Sequence, residues 1–290
     1  MKDSYQDHLI QGCKQGQRFC LMPPRAVPQG LTGGRMGQRT GSSLEFMDHR
    51  AYQPGDDLRR IDWNAYARSD KLTVKLYREE INPHLDILID DSRSMALTQT
   101  EKPGASLALA AALATAAANT HFTWDCKRLG ERCESLRNGS HSPPLWEGMT
   151  FNYTGTPQTS LQSGGARLRP RGIRFFISDL LWLGEPEAVL TRLCEQAGSV
   201  CVVQLLARAD IETPRYGNLR LEDSETGEVL EVFVDASVQQ RYHQRLARHQ
   251  QYWDDACRHY GVAMVTLVAE DLMDTWDLDA LLAQELLGCA

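Results

Sequence analysis

The chain has 290 residues, 42% hydrophobic and 24% charged, with a formal net charge of -7; this is an ordinary globular composition, enough to bury one sizeable core or two small ones. Residues 210–290 hold six Arg and no Lys against sixteen Asp and Glu, which argues against wholesale nucleic-acid binding. Residues 1–80 hold thirteen Lys and Arg against ten acids, which permits one basic local surface near the N-terminus.

The first residues, Met1 to Asp7, are polar and acidic where a secretory leader is basic and then apolar. Residues 1–22 mix charge with apolar positions in a way compatible with a helix. Residues 23–43 are rich in Gly, Pro, Arg and Ser and read as a loop or arm. From Leu44 to Glu80 the chain is densely charged, with Tyr52, Trp63, Tyr66 and Tyr77 interspersed. It reads as irregular structure followed by a strand near Lys71–Arg78.

Leu85 to Asp90 is a short apolar run ending in acid, as expected of a buried parallel strand. Pro103 and Gly104 then precede an Ala-rich helix over Ala105–Asn119. The longest apolar run, Ala105 to Ala118, is too short and too Ala-rich to cross a membrane, which takes about twenty strongly apolar residues. His121–Arg128 and Arg132–Ser135 read as short strands, and residues 137–172 as a long surface loop. Ile173 to Asp179 is a second buried strand. A helix follows over Pro186–Ala197, then a strand over Val200–Leu206. This alternation predicts a parallel sheet covered on both faces. Leu219–Glu222 and Val229–Val234 flank a turn-rich segment and predict a hairpin. A long helix over Ser237–Tyr260 ends at Gly261, a natural C-cap. Val262–Val268 reads as a last strand and Asp279–Leu287 as a last helix.

Eight cysteines form no Cys-x-x-Cys pair and no zinc-spaced Cys/His cluster. With no leader or span, the chain reads as cytoplasmic and these thiols as reduced and mostly buried.

The chemistry-bearing stretch is Asp90-Asp91-Ser92-Arg93-Ser94, an Asp-x-Ser-x-Ser run just past a strand end. In open α/β sheets ligands bind outside the carboxyl ends of the strands. One carboxylate and two hydroxyls suit a hard divalent cation, which keeps some of its waters. Asp179, at the end of another strand, is placed to face the same crevice. The plainer reading is that Ser92 and Ser94 cap a helix and Asp90 is a turn residue.

These residues carry a resemblance. The von Willebrand factor type A (vWA) fold bears Asp-x-Ser-x-Ser after its first strand, a Thr on a later loop and an Asp after another strand. Asp90, Ser92, Ser94 and Asp179 match that order, with Thr159 the best candidate for the Thr and Thr156 the second. More specifically, the chain resembles the bacterial vWA-like proteins called "domain of unknown function 58". Their signature is similar to Gly41–Phe46, Arg50–Asp57, Arg59-Arg60-Ile61-Asp62-Trp63 and Ala67-Arg68. The resemblance implies a vWA-like, doubly wound, mainly parallel α/β sheet flanked by helices. It implies a metal-ion-dependent adhesion site holding Mg²⁺ or Mn²⁺ through Asp90, Ser92, Ser94, Thr159 and Asp179. It also implies a MoxR-type AAA+ ATPase partner and a protein client in chaperone-like maturation. The signature block has two readings of its own. Either Glu45, Asp48, Asp56, Asp57 and Asp62 pair with Arg50, Arg59, Arg60 and Arg68 to knit a subdomain, or the arginines bind an acidic partner.

No phosphate loop, Gly-x-Ser-x-Gly elbow or His-Glu-x-x-His motif occurs. The expected organisation is an N-terminal arm and β-rich extension over 1–82 and an α/β domain over 83–290 with a hairpin insertion near 218–235. The expected function is a metal-dependent, non-enzymatic interaction module. Two rivals remain: a metal-free scaffold, because the Thr segment lacks the family's Gly-Gly-Thr-Asp form, and a metal-dependent phosphatase or nuclease using Asp90, Asp91 and Asp179.

Overall fold

The computed structural model describes residues 2–22, 44–79, 83–97, 99–163, 167–212, 216–223 and 227–290. It divides into two compact units, one of residues 1–25 with 83–290 and one of residues 26–82.

In chain order the elements are α1 (Lys2–Gly16), β1 (Phe19–Leu21), β2 (Leu44–Ala51), α2 (Trp63–Ser69), β3 (Thr73–Glu79), β4 (His84–Asp90), α3 (Lys102–Asn119), β5 (Thr123–Leu129), β6 (Cys133–Ser135), α4 (Pro157–Gln162), β7 (Ile173–Ser178) and α5 (Pro186–Cys194). There follow β8 (Ser199–Leu206), α6 (Arg208–Ile211), β9 (Gly217–Glu222), β10 (Val229–Val234), α7 (Ala236–Tyr260), β11 (Ala263–Val268), α8 (Ala269–Thr275), α9 (Asp279–Leu282) and β12 (Leu287–Cys289).

The larger unit is built on a six-stranded sheet in the order β11-β8-β7-β4-β5-β6. All neighbours are parallel except β5 and β6, which are antiparallel. The central strands are largely apolar on both faces, as a sheet covered on both sides requires. Leu85, Ile87, Ile89, Phe175, Ile177, Cys201 and Val203 pack with the alanines of α3. Leu88, Phe176 and Val202 pack on the other side, with Val189 and Leu190 of α5 and Trp253 and Cys257 of α7. Counting only parallel strands in chain order, the sheet runs 2-1-3-4-5, so the order reverses between β4 and β7. That reversal opens a crevice at their carboxyl ends.

The Ala-rich face of α3 admits close packing. A Cβ on Gly12 of α1 would lie 2.1 Å from the Ala108 carbonyl oxygen, and one on Gly16 2.5 Å from that of Ala112. The two backbones meet where no side chain intervenes. β1 then pairs antiparallel with β12, Phe19 opposite Cys289 and Leu21 opposite Leu287.

This arrangement corrects the expected extension over 1–82. Residues 2–21 join the α/β unit, because α1 lies on α3 and β1 is completed by β12. The residues expected as irregular after Leu44 form β2, an antiparallel partner of β3 with a bulge between Phe46 and Asp48. The last helix stops at Leu282 instead of Leu287, since Leu287–Cys289 is taken up as β12. The Ala-rich helix begins at Lys102, three residues before the expected start. The described residues of 137–172 include a 3-10 turn at Pro143–Leu145 and the short α4. All eight cysteines are free. No helix among the described residues is long and apolar enough to cross a membrane.

The smaller unit explains part of the signature block. Arg50 grips Asp56 with two hydrogen bonds, of 2.9 and 2.6 Å. Asp57 accepts the Arg59 backbone N–H. Asp62 caps α2 by accepting from Asn64 N and Ala65 N, and its other oxygen meets His49 Nε2 at 2.7 Å and Lys75 Nζ at 3.7 Å. The side chains of Glu45 and Asp48 lie outside the described residues. The His49 hydrogen bond, then the Ala65 amide and Lys75, hold the Asp62 carboxyl down at about 2. An acid held low stabilises the fold above its unfolded pKa, and that support is lost as pH falls through the folded value. The protection of the Asn64 and Ala65 amides, measured against their intrinsic exchange rates, is therefore expected to fall between pH 4 and pH 2, while Asp62→Ala, which has no cap oxygen, lacks that protection throughout. Slow exchange in the variant at pH 6 would contradict the role.

Candidate functional site

β4 and β7 run parallel in register, with Ile89 opposite Ile177. The next residues are Asp90 and Ser178-Asp179, so the crevice collects polar groups directly beyond two apolar strands. Asp90 is fully buried. Its Oδ2 accepts from Ser178 Oγ at 2.6 Å and its Oδ1 from Ser92 N at 2.9 Å. Burial, and next the charge of Asp179, raise the Asp90 carboxyl well above the usual carboxylate range; the Ser178 and Ser92 hydrogen bonds offset only part of this. The carboxylate form is thus short of positive charge. Ser92 Oγ and Ser94 Oγ share a hydrogen bond of 3.0 Å. Ser94 is partly exposed, unlike Ser92, so the open side of the crevice is its own.

Asp91 points its chemistry elsewhere. Its Oδ1 accepts from Thr150 N at 3.0 Å and from Phe151 N, its Oδ2 accepts from Thr150 Oγ1 at 3.0 Å, and Arg128 lies 3.7 Å away. Backbone bonds Tyr153 N to Asp91 O and Arg93 N to Tyr153 O complete the clamp. The chain around Tyr153 is thereby tied to the Asp-x-Ser-x-Ser turn.

Thr159 lies on α4, whose N-cap is Thr156. The two hydroxyls meet at 2.9 Å. Tyr153 also hydrogen-bonds Thr159; burial and then the negative charges of Glu131 and Asp90 raise its phenol against that bond. Thr159 is therefore linked to the Asp90 turn through Tyr153.

Asp179 has a partner the sequence did not disclose. Its Oδ1 accepts from Leu181 N at 3.0 Å, and its Oδ2 accepts from Lys102 Nζ at 3.0 Å. Lys102 is fully buried at the start of α3 and also meets Asp210 Oδ2 at 2.9 Å. Burial works against the ammonium, but Asp179 and Asp210 outweigh it and hold the Lys102 pKa above its ordinary value. Asp210 is fixed in turn by Ala207 N at 2.8 Å. The only sequence signal was one Lys in the first turn of a helix otherwise buried along its length.

The oxygen set fits a hard cation: one buried carboxylate, two hydroxyls and an open side at Ser94. Among the described residues no group of three His, Cys, Asp or Glu is placed to chelate a metal, so any cation here relies on hydroxyls and water.

The sequence matches the family described as "Protein of unknown function DUF58" over residues 48–127 and 154–252, more than half of the chain. The chain belongs to the DUF58 family. The match takes in Arg50–Arg68 of the signature block, the Asp-x-Ser-x-Ser turn, Thr159 and Asp179. Uncharacterised proteins of Mycobacterium bovis and Mycobacterium tuberculosis are 27% identical over 259 residues, covering 82% of this chain and 78% of theirs. Among solved structures, the conserved hypothetical protein BatB of Bacteroides thetaiotaomicron shares 10% identity over 70% of this chain and 98% of its own, with a TM-score of 0.35. An aerotolerance-related membrane protein of Bacteroides fragilis shares 12% over 70% and 96%, with a TM-score of 0.36.

Proposed function

We propose that this DUF58 protein is a vWA-like, metal-assisted protein-interaction module of the cytoplasm that binds and does not make or break bonds. Asp90, Ser92 and Ser94 would hold Mg²⁺ or Mn²⁺, with Thr159 and Asp179 in the surrounding shell. The cation would leave a coordination position for an acidic side chain of the partner. The observation that carries this reading is Asp90 itself: a fully buried carboxylate at the switch point of the sheet, two hydroxyls beside it and its charge uncompensated. The neighbouring Leu181 and Leu183, 38% and 101% exposed, offer an apolar rim for the same partner. Asp91 is committed to the Thr150–Phe151 backbone, which removes the spare carboxylate that a two-metal phosphatase or nuclease needs. From the family resemblance, the partners would be a MoxR-type AAA+ ATPase and its protein client.

Calorimetric titration with Mg²⁺ and Mn²⁺ tests the metal. Binding near one equivalent is expected in the wild type and not in Asp90→Asn. A pull-down from native lysate, with and without Mg²⁺, tests the ATPase.

One observation favours a second reading. The Lys102 ammonium already neutralises Asp179, as a metal-free scaffold would require. On that reading neither cation binds the wild type, and Asp90→Asn keeps or raises the melting temperature, since a neutral amide replaces a carboxylate that burial disfavours.

A further inference from the structure

A second polar site lies at the other end of β4. Asp86 is four residues before Asp90, about 13 Å away at about 3.3 Å per residue. On the face turned toward α5 and α7, the register lines Arg174 of β7, Asp86 of β4 and Asp125 of β5 in one row across the sheet. Core strands normally place apolar side chains there. Asp86 is 0% and His84 5% exposed. They line a pocket of about 330 Å³ together with Trp124, Lys127, Arg167 and Arg169, at the small end of the range for ligand sites, about 300–1,000 Å³.

Two buried atoms on its floor have no hydrogen-bond partner: His84 Nε2 and Asp86 Oδ1. They face each other at 3.4 Å. His84 Nδ1 and Thr123 Oγ1 share a hydrogen bond of 2.8 Å, shorter than the 3.4 Å from Thr123 Oγ1 to the Pro83 carbonyl. With Thr123 donating to Nδ1, the ring proton lies on Nε2, a donor beside a carboxylate oxygen. The other Asp86 oxygen is satisfied by Arg169 N at 2.9 Å. A buried donor and a buried acceptor left without partners are both costly. A group that accepts from His84 Nε2 and donates to Asp86 Oδ1 would satisfy both. A metal ion or an ammonium fits poorly, because Lys127 Nζ already stands 3.8 Å from the same Asp86 oxygen. A hydroxyl fits. At the mouth, the Arg167 and Arg169 side chains make no ion pair with a described residue, and both are exposed. They suit an anion. The side chain of Trp124 contributes a flat wall.

We propose that this pocket binds a small hydroxylated anion, with its hydroxyl between His84 and Asp86 and its anionic group at Arg167 and Arg169. Sugar phosphates and polyhydroxy carboxylates share that chemistry. Ribose 5-phosphate and gluconate would be titrated by calorimetry, with ribose and sulfate as probes carrying only half of it. At least one of the first pair should bind near one equivalent and at least tenfold more tightly than ribose or sulfate; which one binds identifies the anion. Asp86→Asn should weaken that binding at least tenfold. Should that variant fail to fold, Arg167→Gln with Arg169→Gln, on exposed side chains, should weaken it as much with an unchanged melting temperature. Asp90→Asn should leave it unchanged, which separates this site from the metal site. Equal binding of sulfate, no binding of either complete probe, or binding indifferent to the arginine changes would overturn the proposal.

Discussion

Lys102→Met is expected to lower the unfolding free energy by about 3–5 kcal/mol, the usual consequence of removing one partner from a buried ion pair. The methionine fills most of the volume. What is lost is the ammonium between Asp179 and Asp210, at 3.0 and 2.9 Å, in a position without solvent. Two carboxylates are then left buried against each other's field and that of Asp90. Urea denaturation of wild type and variant measures the loss. Adding Asp179→Asn and Asp210→Asn to the variant should recover most of it, because the three charges leave together. A loss below about 1 kcal/mol in the single variant would mean that the acids find other compensation. Lys102→Arg should also destabilise, since a planar guanidinium needs room that a point-like ammonium does not.

Gly12→Val is the second large effect. Its Cβ would sit inside contact distance of the Ala108 backbone, which is held in the middle of α3 and cannot swing aside like a flexible side chain. Overpacking of this kind costs about 1–3 kcal/mol, and α1 relieves it by lifting from α3. The expected result is a lower melting temperature with faster proteolysis of the first twenty residues, while the rest of the larger unit stays protected. Gly12→Ala should show the same pattern in weaker form. An unchanged melting temperature in Gly12→Val would place α1 elsewhere than on α3.

How much of this was legible depends on where each residue's partner lies in the chain. Leu85–Asp90 and Ile173–Asp179 declared themselves because strands buried on both faces must be apolar throughout, and their terminal acids stood out against that background. Asp90, Ser92, Ser94 and Asp179 could thus be brought to one crevice from sequence alone. Lys102 could not. A lysine in a first helical turn reads as solvated, and what buries it is Asp210, far along the chain and on a four-residue helix with no signal of its own. β2 was hidden for a similar reason: its partner β3 lies beyond an intervening helix, and its charges disguise the alternation. Asp86 was in plain view inside an apolar run and was read as part of it. Only the register, which sets it between Arg174 and Asp125, marks it as polar floor instead of core. Thr159 sits between these cases: it is linked to the Asp90 turn through Tyr153, a residue no motif singled out.

The pairing of β1 with β12 has a mechanical side. Phe19 stands opposite Cys289 and Leu21 opposite Leu287, so the two chain ends leave the ribbon at the same edge. Tension applied to those ends loads its few rungs one after another, as in a zip, and never all at once in shear. On the N-terminal side the load meets α1 before β1, so α1 is drawn off α3 and the rungs open in turn while the parallel sheet still bears no load.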